Sequence, residues 1–186
     1  GQHRNWLVGV IDADSGNEVL IGDDIDIDDI VWYGSVTSVA QMAEECGVGA
    51  SAPMTRLAQM VEHAVTDGRK VHYLPPYRHD TMIQIMDLLG THPSQQREGA
   101  SLSLIKAVVK LRSIKSEEEI AELERASVIG YKMHTTAMRL ARPGVTEQYI
   151  GGVLDGIASS YGAQVSFPSI VSMHGEILHG YPSPRA

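Results

Sequence analysis

A single long helix is the feature that most limits how the second half of this sequence can fold. Ser116 lies three residues before Glu119, and the two form a capping box, in which each side chain bonds the other residue's backbone amide. The glutamates that follow the serine also suit the positive end of the helix dipole. The helical pattern ends only at Pro143-Gly144. A helix of about 26 residues is roughly 39 Å long, so the neighbouring elements must pack along its length.

A second helix and a strand are predicted after this long helix. Thr146 caps a helix that runs through Ser160 and ends at Gly162. Because the connection is short, the two helices form an αα-hairpin. Residues 164–173 then have the apolar content of a strand, and since Pro168 cannot donate to a ladder, we expect an edge or bulged strand.

The first half of the sequence alternates between strand-like and helix-like stretches. Two runs of β-forming residues flank a group of turn residues, which predicts a β-hairpin. Apolar residues at helical spacing, ended by glycine, recur after it. The predicted elements are strands at 6–11, 18–22 and 70–74, helices at 38–45, 55–64, 80–89 and 102–111, and a polar loop at 92–99. Such alternation is typical of an α/β layer, so we predict an α/β fold.

Composition and charge exclude several classes of function. The chain has 15 Lys and Arg against 23 Asp and Glu, and this net charge of −8 argues against nucleic acid or an anionic membrane surface as a partner. No apolar run approaches the ~20 residues that span a bilayer. The lone Cys46 excludes an internal disulfide and indicates a reducing compartment. We therefore expect a cytoplasmic protein.

Two histidines near the carboxyl end are the candidate functional residues. His174 and His179 follow the predicted strand in a glycine-rich stretch, where small residues let a ligand approach closely. An imidazole in this setting can bind a metal or act as a general acid or base.

Two other candidates have structural explanations. His134 shares a helix face with apolar residues, so we expect it in a core or an interface. The acidic run at 24–28 lacks the glycine and the glutamate that an EF-hand calcium loop requires, which favours a solvated acidic loop.

Residues 111–186 contain five blocks whose order and spacing point to a known family. The blocks are LRSIKSEEEIAELERA, Met133-His134, ARPGVTEQYIGG, SFPSIV and GEILHG. Together they resemble the aminopeptidase P (Xaa-Pro aminopeptidase) and prolidase group of pita-bread metallopeptidases. Residues 1–110 resemble the creatinase-type N-terminal domain of the same group through the hairpin, VWYG and the linker helix. The resemblance implies a creatinase-like α/β domain at 1–112, lacking its start. The first helices and strand of an α+β catalytic domain follow at 113–186.

The resemblance implies metal-dependent peptide hydrolysis. Members of this group cleave the bond between an N-terminal residue and proline, by attack of a water that bridges two divalent metals, often manganese. His179, in the ILH block, corresponds to the histidine that binds substrate and stabilises the tetrahedral intermediate, whereas His174 has no counterpart. The family's metal ligands, two Asp, one His and two Glu, lie beyond that block. We therefore expect no metal site and no activity on this chain alone.

The resemblance also implies partners and leaves two other functions open. Peptides with proline in the second position are the implied substrates, and we expect self-association through exposed apolar helix faces. A metal-free pita-bread homologue would act as a binding protein. A creatinase-like amidinohydrolase would instead use its histidine as an acid and base on a guanidino compound. Residues beyond Ala186 would separate these functions, because only the peptidase needs the five metal ligands.

Overall fold

A computed structural model of the protein describes residues 7–177. The chain divides into two compact units, Gly1–Val109 and Lys110–Ala186. Both strands and helices are present, which confirms the predicted α/β class. Within the described range, the helices are too short or too polar to cross a lipid bilayer.

The first unit is built on the predicted β-hairpin, which the structure confirms. Strands β1 (Val8–Ile11) and β2 (Glu18–Ile21) pair antiparallel, and the short β3 (Ser51–Ala52) adds to β2 in parallel. Ile21, in the central strand β2, is fully buried. The hairpin turn closes through a bond from the Gly16 amide to the Asp12 carbonyl, and Gly16 has a φ of 75°, which favours glycine.

Six helices follow in the described part of this unit. They are α1 (Ile27–Tyr33), α2 (Val39–Glu45), α3 (Thr55–Thr66), α4 (His79–Leu89), α5 (Pro93–Gly99) and α6 (Leu102–Ser113). Buried apolar side chains come from α2, which has two, and from α3 and α4, which have one each. Helix α6 extends across the boundary between the two units. The predicted helices at 38–45, 55–64, 80–89 and 102–111 are all present, with ends shifted by a few residues.

The predicted strand at 70–74 is wrong. Residues 69–77 have no regular secondary structure, and the Tyr73 carbonyl accepts a hydrogen bond from the Ser101 amide instead of a strand neighbour. The residues have strand propensity, but a strand also needs a partner in register. Pro75-Pro76, immediately after the segment, removes two amide donors that a ladder would need.

The predicted polar loop at 92–99 is also wrong, because most of it forms α5. His92 caps this helix and Pro93 occupies its first turn, where proline is well tolerated. Gln96 is completely buried, and its Nε2 donates to the Met82 carbonyl at 2.7 Å and to the Thr91 carbonyl at 2.8 Å. The polar composition led to the prediction of a loop, but the segment is a helix, and the polar side chain of Gln96 bonds it to α4.

The second unit begins with the predicted helical hairpin. Helix α7 (Glu117–Leu140) has the expected capping box, and its 24 residues come close to the predicted length. Helix α8 (Glu147–Ser160) is capped by Thr146 and lies against α7. The apolar residues Ile150 and Leu154 of α8 are buried. Lys132 of α7 lies 4.1 Å from the ring centroid of Tyr161, and its ammonium also bonds the tyrosine hydroxyl.

The predicted strand at 164–173 is wrong as well. These residues follow α8 without regular secondary structure. A ladder requires a neighbouring strand, and the described part of the second unit contains the end of α6, the helices α7 and α8 and their connecting segments. Phe167, Ile170 and Met173 of the stretch are exposed, whereas Val165 and Val171 are half-buried.

Candidate functional site

The candidate site is the stretch at 164–177, which we call the histidine segment because it contains His174 and leads towards His179. Its first attachment to α8 is a hydrogen bond from the Ser169 hydroxyl to Asp155 Oδ1, at 2.6 Å and partly buried. A carboxylate acceptor makes such a bond stronger than one between neutral groups. Ser169 is therefore fixed to the third turn of α8.

A second attachment lies closer to the histidine. The Met173 amide donates to Glu147 Oε1 at 2.7 Å. Glu147 is the first residue of α8, where a negative charge is favoured by the helix dipole. Since Glu147 and Asp155 are eight residues apart, the two attachments are separated by about 12 Å along the helix axis. The histidine segment is thus held at two points along α8.

His174 lies in an exposed turn beyond the second attachment. Its amide donates to Ser172 Oγ at 3.0 Å, and its carbonyl accepts from the Ile177 amide at 2.9 Å. The imidazole Nδ1 is 3.1 Å from Glu176 Oε1, with the two side chains 56% and 72% exposed. The turn holds the ring next to one carboxylate and leaves it accessible to solvent.

The sequence-predicted site residue His179 lies outside the described residues. Its role as a substrate-binding imidazole stays a prediction. Within the described residues, the histidine segment follows α8, and the Met173 amide is bonded to the Glu147 carboxylate of that helix.

The described residues do not fit a metal pair. Between residues 7 and 177, three or more His, Cys, Asp or Glu side chains nowhere come together in a way that could hold a metal ion. His174 and Glu176 form only a pair.

His134 does not belong to a core, which corrects one of the two locations expected for it. The residue is exposed on α7, a helix without buried residues. The apolar residues that share its face are also exposed: Ile120, Leu123, Tyr131 and Met138. An interface location for this face stays a prediction.

The acidic residues that follow β2 have structural roles that sequence analysis missed. Asp23 Oδ1 accepts from the Met54 amide at 2.8 Å, and Asp24 Oδ1 accepts from the Val39 amide at 2.7 Å. Asp26 caps α1 by accepting from the Asp29 amide at 2.9 Å. Because aspartate is a preferred capping residue, the cap formed by Asp26 could have been predicted from the sequence.

His72 has a comparable structural role in the first unit. Its Nδ1 lies 2.6 Å from the hydroxyl of Ser101, a buried residue whose oxygen also accepts from the Leu104 amide in the first turn of α6. The imidazole thus belongs to the cap of that helix.

Comparisons with known proteins show what the chain is similar to. No family model matches the sequence. Xaa-Pro aminopeptidase of Escherichia coli (strain K12) is 29% identical over 158 residues, which cover 80% of this chain and 36% of the relative. The structure of E. coli aminopeptidase P in its low-pH form matches with a TM-score of 0.59 at 24% identity, over 78% of this chain and 34% of that one. A point variant of the same enzyme matches with a TM-score of 0.57.

These matches confirm the resemblance to aminopeptidase P that the sequence blocks indicated. The structural likeness shows the shared fold. The chain spans about a third of the length of the relatives it matches.

Proposed function

We propose that this chain is part of a metal-dependent Xaa-Pro aminopeptidase, which hydrolyses the peptide bond between an N-terminal residue and a following proline. One observation carries the proposal: the match to the E. coli enzyme in sequence, at 29% identity, and in fold extends over about four-fifths of the chain. A match that includes residues of both units supports a shared activity better than a match to a single motif does.

In this proposal the chain contributes substrate handling. His179 follows the histidine segment, and its imidazole would donate a hydrogen bond to the scissile carbonyl oxygen as negative charge develops there. Two divalent ions, manganese in this proposal, would supply Lewis-acid chemistry in the complete protein. Because the described residues contain no suitable ligand cluster, the ligands would come from elsewhere in that protein. The isolated chain is therefore proposed to be inactive.

The proposed protein acts in the cytoplasm as an assembly of several copies. The apolar residues exposed on one face of α7 support self-association, because exposed apolar surface of this kind is found at interaction sites. Peptides with proline in the second position are the proposed small partners. The net charge of −8 supports neither nucleic acid nor an anionic membrane as a partner.

An assay of the complete protein tests the function. With manganese present, we expect release of the N-terminal residue from a peptide with proline second, and no release when alanine replaces that proline. His179→Ala is expected to lower kcat/KM by about 100-fold or more, the loss typical of removing one donor to an oxyanion. A complete protein that leaves the proline peptide intact in the presence of manganese would contradict the proposal. If that protein also binds no manganese, the result would favour a metal-free binding protein or an amidinohydrolase.

A further inference from the structure

We propose that the groove between α3 and α4 binds helix α6 of a second copy of this chain. Two observations carry the inference: an apolar groove edged by two carboxylates, and a basic helix with exposed apolar residues in the same sequence. The inference goes beyond the proposed peptidase function and does not depend on it.

The groove has an apolar floor that is open to solvent. Its volume is about 330 Å³, at the small end of the range for binding sites. The apolar lining comes from the start of α3 and from α4, and includes Met54, Leu57, Ile83 and Leu88. Ile83 is 53% exposed. An exposed apolar groove between two helices is suited to the apolar side of a third helix.

Two carboxylates lie on the α4 side of this groove. Asp80 and Asp87 both line it, and because they are seven residues apart they share one side of the helix, about 10 Å from each other along its axis. Ile83 lies between them on that side. Asp80 Oδ2 is 3.1 Å from Arg78 Nη2, whereas Asp87 is an exposed residue. Asp87 is therefore the better placed of the two to bind a cation from another molecule.

Helix α6 has a pattern of charge that complements the groove. Residues 102–115 include four lysines and arginines and no acid, in a chain whose net charge is −8. Lys106 and Lys110 share one side of α6 with Leu102 and Val109, within about 100° of arc. Leu102 and Val109 are 63% and 56% exposed, and α6 has no buried residue. This side of the helix therefore presents both cations and apolar surface.

The two surfaces match in charge and in spacing. In the groove Ile83 lies between two acids, and on α6 Val109 lies beside two lysines. The lysines are about 6 Å apart along α6, and their flexible four-carbon stems let both ammonium groups reach carboxylates about 10 Å apart. Complementary charge favours α6 as the occupant, because the rest of the chain, with its net negative charge, is repelled by Asp80 and Asp87.

A nitroxide on α6 locates the surface that this helix contacts on a second copy. Cys46 is the lone cysteine and is exposed, so Cys46→Ser with Leu111→Cys gives one attachment point, on the side of α6 away from its lysine pair. When spin-labelled copies are mixed with ¹⁵N-labelled copies, we expect broadening of the amide signals of Leu57 and Ile83 in the ¹⁵N-labelled copies. Unchanged signals of these two amides would overturn the inference.

Charge exchange tests the pairing itself. Asp87→Lys and Lys110→Glu should each raise the Kd for self-association, measured by sedimentation equilibrium, about fivefold or more, because each places like charges together. In the double variant the exchanged helix of one copy meets the exchanged groove of the other. Its Kd should therefore return to within about twofold of the native value.

Glu44→Lys, at an exposed position of α2, is the matched control for Asp87→Lys. Each of the two substitutions raises the net charge by two, from −8 to −6, so the general repulsion between copies decreases equally in both. Glu44→Lys should therefore associate at least as well as the native chain. Circular dichroism should show the same helix content in all variants, because the substituted positions are exposed.

Three results would each overturn the inference: a native chain that stays monomeric, an Asp87→Lys variant that associates like Glu44→Lys, or a double variant that associates no more tightly than the single variants. Peptide cleavage enters none of these measurements. Their failure would therefore leave the proposed peptidase function standing.

Discussion

Arg69, just beyond the end of α3, binds Asp12 in the hairpin turn between β1 and β2. The guanidinium Nη1 lies 3.1 Å from Asp12 Oδ2, and Nη2 lies 2.8 Å from the carboxylate of Asp14. These bonds join two parts of the first unit that are 57 residues apart in sequence.

This pair should make the stability of the first unit depend on pH. The Arg69 guanidinium, helped by the amides of Asp14 and Ser15, holds the pKa of Asp12 well below its usual range. A lowered folded-state pKa contributes stability above the unfolded pKa, near pH 4, and that contribution is lost as the pH falls further. We expect Asp12→Asn to lower the urea midpoint at pH 7 and to have a smaller effect towards pH 2.

The matched control is Glu44→Gln, which removes an exposed acid from α2. The difference in urea midpoint between Glu44→Gln and the native chain should not become smaller towards pH 2. An Asp12→Asn penalty that stays constant from pH 7 to pH 2 would show that the ion pair contributes nothing to the pH dependence.

We predict that Gly99, the last residue of α5, must be glycine because the side chain of Tyr73 leaves no room for a Cβ there. A Cβ placed on Gly99 would lie 2.5 Å from the tyrosine hydroxyl oxygen and 3.7 Å from the ring carbon that carries it. Gly99→Ala should therefore destabilise the first unit by about 1 kcal/mol, as overpacking does. In a Tyr73→Phe background the close contact is absent, so the same substitution should cost little. Thermal unfolding of the four proteins measures the difference, and equal costs in both backgrounds would contradict the contact.

Two glycines of the second unit should respond to alanine in opposite directions. Gly152 lies inside α8 with open space around it, so Gly152→Ala should stabilise the helix by about 0.5–1 kcal/mol. Gly144 has a φ of 87°, and Gly144→Ala should destabilise by about 1–2 kcal/mol because an L side chain is strained there. Chemical denaturation would measure both. Loss of stability in Gly152→Ala would contradict the open space around this position.

Self-association through α7 is open to a direct test. Leu123 and Met138 are 54% and 75% exposed on the apolar face. Leu123→Glu should reduce association in sedimentation experiments at high concentration, because it places a charge within an apolar contact. Glu124→Lys, at the next position, should change association much less. A native chain that sediments only as a compact monomer would contradict the proposed assembly.

Local sequence signals predicted the elements that depend on local physics. The capping box of Ser116 and Glu119 and the cap at Thr146 are formed as expected, because each involves residues three apart. The hairpin followed from its turn residues for the same reason. The two wrong strands, at 70–74 and 164–173, depended on a distant partner that propensity alone does not supply.

The candidate site was predicted only in part for a similar reason. The blocks around His174 and His179 identified the region through their resemblance to a family. The bonds that hold the region join residues 14 and 26 positions apart, Asp155 with Ser169 and Glu147 with Met173. Carboxylates on a helix surface are common, so nothing in the sequence distinguished these two from exposed ones such as Glu124.

The hydrogen bonds of Asp23 and Asp24 limit which residues these two positions tolerate. Each carboxylate accepts from an amide at the start of a different helix, Asp24 from Val39 at the first residue of α2 and Asp23 from Met54 just before α3. Two adjacent residues thus each hold the start of one helix. An insertion between them would shift the two helices relative to each other. Divergent copies of this protein should keep an acid or amide at both of these positions.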